Sequence, residues 1–316
     1  RPVQEGQVQQ LLRRHAGLYV DKSQAPELKD VLLLTAANYG YLDMLQNWEC
    51  FARKLGLDWL VVALDEKIYQ ELGPEHSFLT VGEKHDSFER FGSPGFKIVG
   101  CNKLRSMLYV LATTQLDVVF TDGDNVFKSD PFLPSLSLGS MMRSGKFDMI
   151  YGRKINPPGI RDGEYHTEPI KGNTGFYYVS GSRRPRLIQQ MFQISIEWCD
   201  RRPGEDDQEN FWDALVMERK RKPTDRSFFT CFRHCEKTEQ CSQVGTTAVF
   251  EYCDMSPFEY VLGAIEPKQA LKEPHHLISY HATHVWGKVA KQIKLKGVGL
   301  WDVQCVELAN KSKLGV

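Results

Sequence analysis

The sequence predicts an α/β fold, a single large domain in which one mostly parallel, Rossmann-like sheet is flanked by helices. Three observations predict it. The runs Val31–Thr35, Trp59–Leu64 and Asp117–Thr121 have the length and apolar content of buried strands. Between them lie stretches in which apolar residues return at helical spacing. The resulting order of strand, helix, strand, helix, strand is the alternation of parallel units covered on both faces.

Each element has its own signal. Val31–Thr35 ends in the small and polar Ala36-Ala37-Asn38-Tyr39-Gly40, as a buried strand followed by a loop does. Leu42, Leu45, Phe51 and Leu55 predict the first helix, with Gly56 as its C-terminal cap. Trp59–Leu64 runs into Asp65, and Leu104, Met107, Leu108 and Leu111 predict the helix that feeds Asp117–Thr121. Further on, Leu187, Ile188, Met191, Ile194 and Trp198 mark another helix. Residues 153–172, with Pro157, Pro158, Gly159, Gly163 and Pro169, read as a long loop.

Composition narrows the function classes. Hydrophobic residues at 41% and charged residues at 25% are globular values and exclude a mostly disordered chain. Forty Lys and Arg balance forty Asp and Glu, so the basic footprint of a nucleic-acid partner is missing. The apolar runs fall far short of the ~18 residues that span a bilayer. The chain opens at Arg1 and is read as an excised segment whose targeting information lies outside it. Residues 1–30 are polar, contain Pro2 and Pro26, and read as a stalk remnant or a short docking helix.

Four of the eight cysteines, Cys231, Cys235, Cys241 and Cys253, fall in one stretch. A disulfide-stapled insert is the favoured reading, ahead of reduced thiols and of a zinc cluster with His234, because the spacings fit no common zinc knuckle. Disulfides and the sequon Asn310-Lys311-Ser312 point to a secretory address.

In parallel sheets ligands bind beyond the carboxyl ends of the strands. Ala36, Ala37, Asn38 and Tyr39, then Asp65, then Asp122 and Asp124 are therefore candidates for one crevice. Asp122-Gly123-Asp124 is the sharpest feature. Alternate side chains share a face of an extended strand, so the two carboxylates point together and repel unless a cation lies with them. Mg²⁺ or Mn²⁺ bound together with substrate phosphates satisfies that demand. The competing reading, a plain surface turn, fits less well with the apolar run before the pair and Phe127, Pro131 and Phe132 after it.

The block from Lys103 through Asp117–Asp124 to Asp130-Pro131 resembles the metal-binding strand end of GT-A glycosyltransferases, and is most similar to the nucleotide-diphospho-sugar transferases of glycosyltransferase family 77. Val31–Leu42 resembles that family's opening strand, Gly172–Tyr178 its Asn-x-Gly strand, and Glu205–Phe211 its Asp-Gln helix start. His281-Ala282-Thr283 with Gly287-Lys288 resembles its closing His and Gly-Lys element. The matches run in order from about residue 31 to 291, and leave out residues 1–30 and the insert 231–253.

The resemblance implies a GT-A catalytic domain over 31–316, with a nucleotide-binding half at 31–150 and an acceptor half at 151–316. It implies that Asp124 binds the metal and that Asp122 binds the metal or the ribose. His281 is the implied downstream ligand, with His284 as rival. Ala36, Ala37, Asn38 and Tyr39 hold the nucleotide, with Asp65 in a comparable place. One of Lys103 and Arg105 contacts phosphate or Asp122, while Lys288, with Lys291 nearby, reaches the diphosphate. Asn173, Asp207 and Gln208 lie beside the anomeric carbon. The implied activity is a retaining, metal-dependent α-glycosyltransferase that moves galactose, xylose or arabinose from a UDP-sugar to a glycan or glycoprotein hydroxyl. The implied setting is the Golgi or secretory lumen, with membrane attachment through an N-terminal anchor outside this segment. Retention is expected through a front-face mechanism, with double displacement as the other route. A catalytically silent sugar- or partner-binding module on the same fold is the rival function.

Overall fold

The computed structural model describes residues 5–82, 84, 86–89, 92–153, 172–220, 231–235, 237–238 and 249–306. Helix α1 (Glu5–Arg14) comes first. Then follow β1 (Val31–Ala37), α2 (Leu42–Lys54), β2 (Leu60–Ala63), α3 (Glu66–Leu72), β3 (Ser77–Leu79), α4 (Pro94–Thr114) and β4 (Asp117–Asp122). The middle of the chain forms β5 (Asn125–Phe127), α5 (Ser137–Ser144), β6 (Met149–Arg153), β7 (Gly172–Val179), α6 (Pro185–Arg201) and α7 (Asp207–Lys220). The last part supplies β8 (Cys231–His234), β9 (Lys237–Thr238), β10 (Val249–Asp254), β11 (Tyr260–Leu262), α8 (Pro267–Ala270), β12 (Ser279–His281) and α9 (Lys288–Gly297).

Among the described residues, nine strands form one sheet in the order β3-β2-β1-β4-β7-β6-β10-β8-β9. β1 pairs in parallel with β2 and β4, and β2 with β3, which is the alternation the sequence predicts. β7 runs antiparallel between β4 and β6, so the sheet is mixed at its middle. It is continuous across residue 150, and the two expected halves share it.

Successive residues of β1 enter different cores: Leu32 and Leu34 face one side, Val31 and Leu33 the other. Both faces are covered, hence the unbroken apolar run. Trp48 of α2 and Phe127 are buried on one side, and Leu104, Met107 and Leu111 of α4 on the other. Gly56, at φ +69, takes the left-handed position just after α2.

The first thirty residues pack on the domain over their described part. Val8, Leu11 and Leu12 of α1 join the core beside α4, and Gln9 donates to the Thr113 carbonyl at 2.6 Å. His15 and Lys22 both bond Asp58, at 2.7 and 2.5 Å.

Disulfides join Cys50 to Cys305, Cys101 to Cys199 and Cys235 to Cys253. The third removes Cys235 from any zinc cluster as a thiolate. His234 instead faces Asp254 at 3.1 Å and the Tyr151 hydroxyl at 3.2 Å. The Cys231 side chain, Cys241, residues 154–171 of the expected loop and the sequon at Asn310 lie outside what is described.

Candidate active site

The acid turn and the distant histidine are joined by a second, three-stranded sheet in the order β11-β12-β5. β5 begins directly after Asp122-Gly123-Asp124 and pairs antiparallel with β12, placing His281 opposite Asn125. The Ala282 amide then donates to the Asp124 carbonyl at 2.9 Å. Backbone pairing thus fixes the imidazole: His281 Nε2 lies 3.2 Å from Asp124 Oδ1 and 3.9 Å from Asp122 Oδ2.

This trio fits a divalent cation. Asp122, Asp124 and His281 each offer one ligand atom, all within 4.8 Å of one another. Asp124 is 4% exposed and His281 3%, so water compensates little of the charge. The space between them depends on Gly175, where a Cβ would lie 2.4 Å from Asp122 Oδ2 and 2.4 Å from His281 Cε1. Carboxylate oxygens with an imidazole suit Mn²⁺ or Mg²⁺.

Lys291 of α9 donates to the other Asp124 oxygen at 2.5 Å and lies over the Tyr41 ring. Burial pushes the Asp124 carboxyl up, but Lys291 and His281 outweigh it and hold the group well below the usual carboxylate range.

Lys103 organises the neighbouring corner. Its ammonium donates to Asp122 Oδ1 at 3.0 Å and stands 3.3 Å from Asp207 Oδ2. Burial pushes Lys103 down, yet the two carboxylates prevail and raise it well above an ordinary lysine. Asp207 also accepts from the Thr174 hydroxyl at 2.9 Å. Its close seating against α4 needs Gly100, where a Cβ would come 2.5 Å from Asp207 Oδ1. Asn173 accepts from the Gly175 amide at 2.7 Å and donates to Gln208 Oε1 at 3.0 Å.

These groups line a cavity of about 430 Å³ beyond the strand ends. Ala36, Ala37, Asn38, Tyr41, Phe88 and Phe96 line it as well. Asn38 donates to the Ser87 carbonyl at 2.7 Å, while its buried Oδ1 has no partner among the described residues. Gly40 lets the chain pass close by: a Cβ there would meet the Phe88 amide nitrogen at 2.2 Å. Tyr41 and Phe88 rings lie 5.0 Å apart in that wall.

Of the residues singled out in the sequence, Ala36, Ala37, Asn38, Lys103, Asp122, Asp124, Asn173, Asp207, Gln208 and His281 meet in this cavity. Four others do not. Tyr39 is 42% exposed and outside the lining, because a tight turn over Tyr39–Tyr41 carries Tyr41 inward instead. Asp65 caps α3, accepting from the Ile68 amide at 2.9 Å and the Tyr39 amide at 2.6 Å, so both oxygens serve the backbone. Arg105 turns to Asp200 at 2.6 Å, leaving Lys103 as the cation of the pair that reaches the site. Lys288 bonds Asp43 at 3.1 Å, and Lys291, nearly one helical turn later, reaches the acid turn. His284 lines the cavity but stands apart from the carboxylate and imidazole cluster. Tyr41, Phe88, Thr174 and Gly175 were not legible as site residues. Gly175, inside an Asn-x-Gly strand, carried the one usable signal, since an interior strand glycine marks a close approach.

An α/β sheet with an acid pair at the tip of a central strand, and a cavity beyond it, defines a nucleotide-sugar-binding fold of the GT-A class. The chain belongs to the nucleotide-diphospho-sugar transferase family, whose sequence model matches residues 57–292. That membership is consistent with the family 77 resemblance. The β-arabinofuranosyltransferase RAY1 of Arabidopsis thaliana is 25% identical over 287 residues, covering 86% of this chain and 47% of that protein. The chain thus spans about half the length of the curated relative it matches. Among solved structures, the galactosyltransferase LgtC in complex with donor and acceptor sugar analogues aligns with a TM-score of 0.48 at 12% identity, over 88% of this chain and 95% of its own. The glycosyltransferase GlyE of Streptococcus pneumoniae aligns with a TM-score of 0.43 at 9% identity, over 90% of this chain and 63% of its own.

Proposed function

We propose that this chain is a retaining, divalent-metal-dependent glycosyltransferase that moves a sugar from a UDP-sugar to a hydroxyl of a glycan or glycoprotein. The observation that carries the reading is the Asp122, Asp124 and His281 trio, its ligand atoms within 4.8 Å at the wall of the cavity. A divalent cation held by those three residues supplies positive charge for a departing diphosphate.

The chain's own groups do the rest. Asn38 Oδ1, an acceptor without a partner among the described residues, takes the imide N–H of uracil between apolar walls. Lys291 steadies Asp124 and adds a second positive charge beside the diphosphate. Asp207, held by Lys103 and Thr174, lies ready to stabilise positive charge on the reacting sugar. Asn173 and Gln208 hydrogen-bond each other, and Asp207 is already engaged, which favours a front-face course over attack by a side chain. In that course the leaving diphosphate oxygen accepts the proton of the incoming hydroxyl. Retention gives the product the donor's own anomeric configuration.

The donor sugar is galactose, xylose or arabinose, the last being the sugar in the name of the RAY1 relative. The three disulfides among the described residues support work in an oxidising lumen, the Golgi or another secretory compartment. No helix among the described residues is long and apolar enough to cross a membrane. The test is hydrolysis of a panel of UDP-sugars with Mn²⁺ and no acceptor, paired with calorimetry of UDP with and without Mn²⁺. Turnover of one donor and metal-linked UDP binding are expected. UDP binding indifferent to Mn²⁺, with no donor hydrolysed, refutes the proposal and favours a silent binding module.

A further inference from the structure

The cavity has one wall that the donor reading leaves without a role. The donor reading assigns the nucleotide to Asn38, the diphosphate to Asp122, Asp124 and Lys291, and the sugar to Asn173, Asp207 and Gln208. The segment 283–287, which begins two residues after His281, also lines the cavity. An acceptor hydroxyl must reach the anomeric carbon from outside, and this segment carries a large exposed side chain at the cavity.

Its construction is that of a fixed support with an exposed tip. At the base, the Gly263 amide donates to the His281 carbonyl at 2.8 Å and to the Thr283 hydroxyl at 3.2 Å. Gly263 is packed so closely that a Cβ there would meet the Thr283 carbonyl oxygen at 2.3 Å. His284, at φ +56, adopts the left-handed conformation that non-glycine residues avoid, and Gly287 follows at φ +84. These two reversals bracket Val285 and Trp286. Trp286 is 74% exposed although it lines the cavity.

A large aromatic side chain held at the mouth of a polar cavity has a clear chemical complement. One face of a sugar ring carries mostly C–H groups, with partial positive charge, and its rim carries hydroxyls. The indole face is electron-rich and flat, and its two side-chain torsions leave little entropy to lose on binding. Polar groups at the same cavity, Asp206, Gln208 and Thr283, can meet the hydroxyl rim. We propose that Trp286 is the stacking platform for the acceptor, a carbohydrate whose terminal ring lies on the indole face with its reactive hydroxyl directed inward. The proposal rests on the glycosyltransferase reading above and adds the class of acceptor and the residue that positions it.

The experiment uses the full chain loaded with UDP and Mn²⁺. Binding of methyl β-D-galactoside, methyl β-D-xyloside, methyl α-L-arabinofuranoside and lactose is followed by isothermal titration calorimetry. Saturable heat on titration of at least one sugar is expected in the wild type. Trp286→Ala should weaken that binding by roughly tenfold, the scale of removing one aromatic platform, and Trp286→Phe should recover much of it. Where a bound sugar also accepts transfer, the loss should appear in its KM more than in kcat. Ile293→Ser, at a residue 63% exposed and outside the lining, serves as the control and should bind sugar as the wild type does. No saturable sugar binding by the wild type, or equal sugar binding by Trp286→Ala, overturns the proposal. A loss in Trp286→Ala that appears equally in UDP affinity without sugar assigns the indole to the donor and overturns it as well. Donor hydrolysis by the wild type, measured separately, tells failure of the platform from failure of the glycosyltransferase reading.

Discussion

Lys291 donates to Asp124 at 2.5 Å from 167 residues away, on the carboxylate oxygen opposite the one that faces His281. Asp124 is thereby held between a fixed cation and an imidazole, which keeps it ionised inside the protein. Lys288, on the same helix, lies outside this arrangement and bonds Asp43. Lys291→Ala is therefore expected to lower transfer about 10²-fold, the scale of removing one preorganised stabiliser. Lys288→Ala, which breaks a partly exposed pair, should change it by no more than about fivefold. Steady-state kinetics of the two variants decide the matter, and equal losses contradict the assignment.

Gly175 offers a steric probe of the metal site. A methyl group there collides with Asp122 and His281, while the strand backbone accepts alanine without a positive φ. Gly175→Ala should weaken Mn²⁺ binding about tenfold or more, which is what ~1–3 kcal/mol of overpacking amounts to. Calorimetric metal titration reads this directly, with circular dichroism as the check on folding. Unchanged metal affinity would place the ion elsewhere.

Lys103 neutralises two carboxylates at once. Removing it in Lys103→Met leaves Asp122 and the buried Asp207 facing each other, at an expected loss of about 3 kcal/mol. Adding Asp207→Asn removes one of the stranded charges and should restore part of that loss. Urea unfolding of the single and double variants provides the cycle. A double variant as unstable as the sum of the singles argues against the bridge.

Asp58 ties the first thirty residues to the domain. Burial pushes its carboxyl up, but hydrogen bonds from His15 and Lys22 prevail and leave it below its ordinary value. A carboxyl depressed in the folded state contributes stability above its unfolded pKa of about 3.9, and loses that contribution as pH falls through the folded value. Asp58→Asn should therefore be less stable than the wild type at neutral pH, with the gap narrowing below about pH 4. Urea midpoints at stepped pH measure it, and a gap constant down to pH 2 counts against the tie.

Helix starts and strand ends were mostly legible because they are local. β1, β2 and β4 follow from apolar runs long enough to be buried on both faces, and α2, α4 and α6 from helical periodicity. The acid pair was legible because alternate residues on a strand share a face. Side-chain destinations were not. Asp65 and Arg105 are the right residue types in plausible places, yet one caps α3 and the other meets Asp200. A charged group takes whichever partner the packing brings nearest, and sequence spacing carries no record of that choice.

The amino-acid order by itself determined the layered α/β class and the carboxylates at the end of β4, and the family resemblance made His281 a candidate. Tertiary structure alone decided that β12 pairs with β5 and so delivers that histidine to those carboxylates. It also decided that β7 runs against its neighbours, and that Tyr41 and Lys291 face inward where Tyr39 and Lys288 do not. Periodicity and turn chemistry act within a few residues, whereas these contacts join segments far apart in sequence, where only the packed core selects one pairing from many.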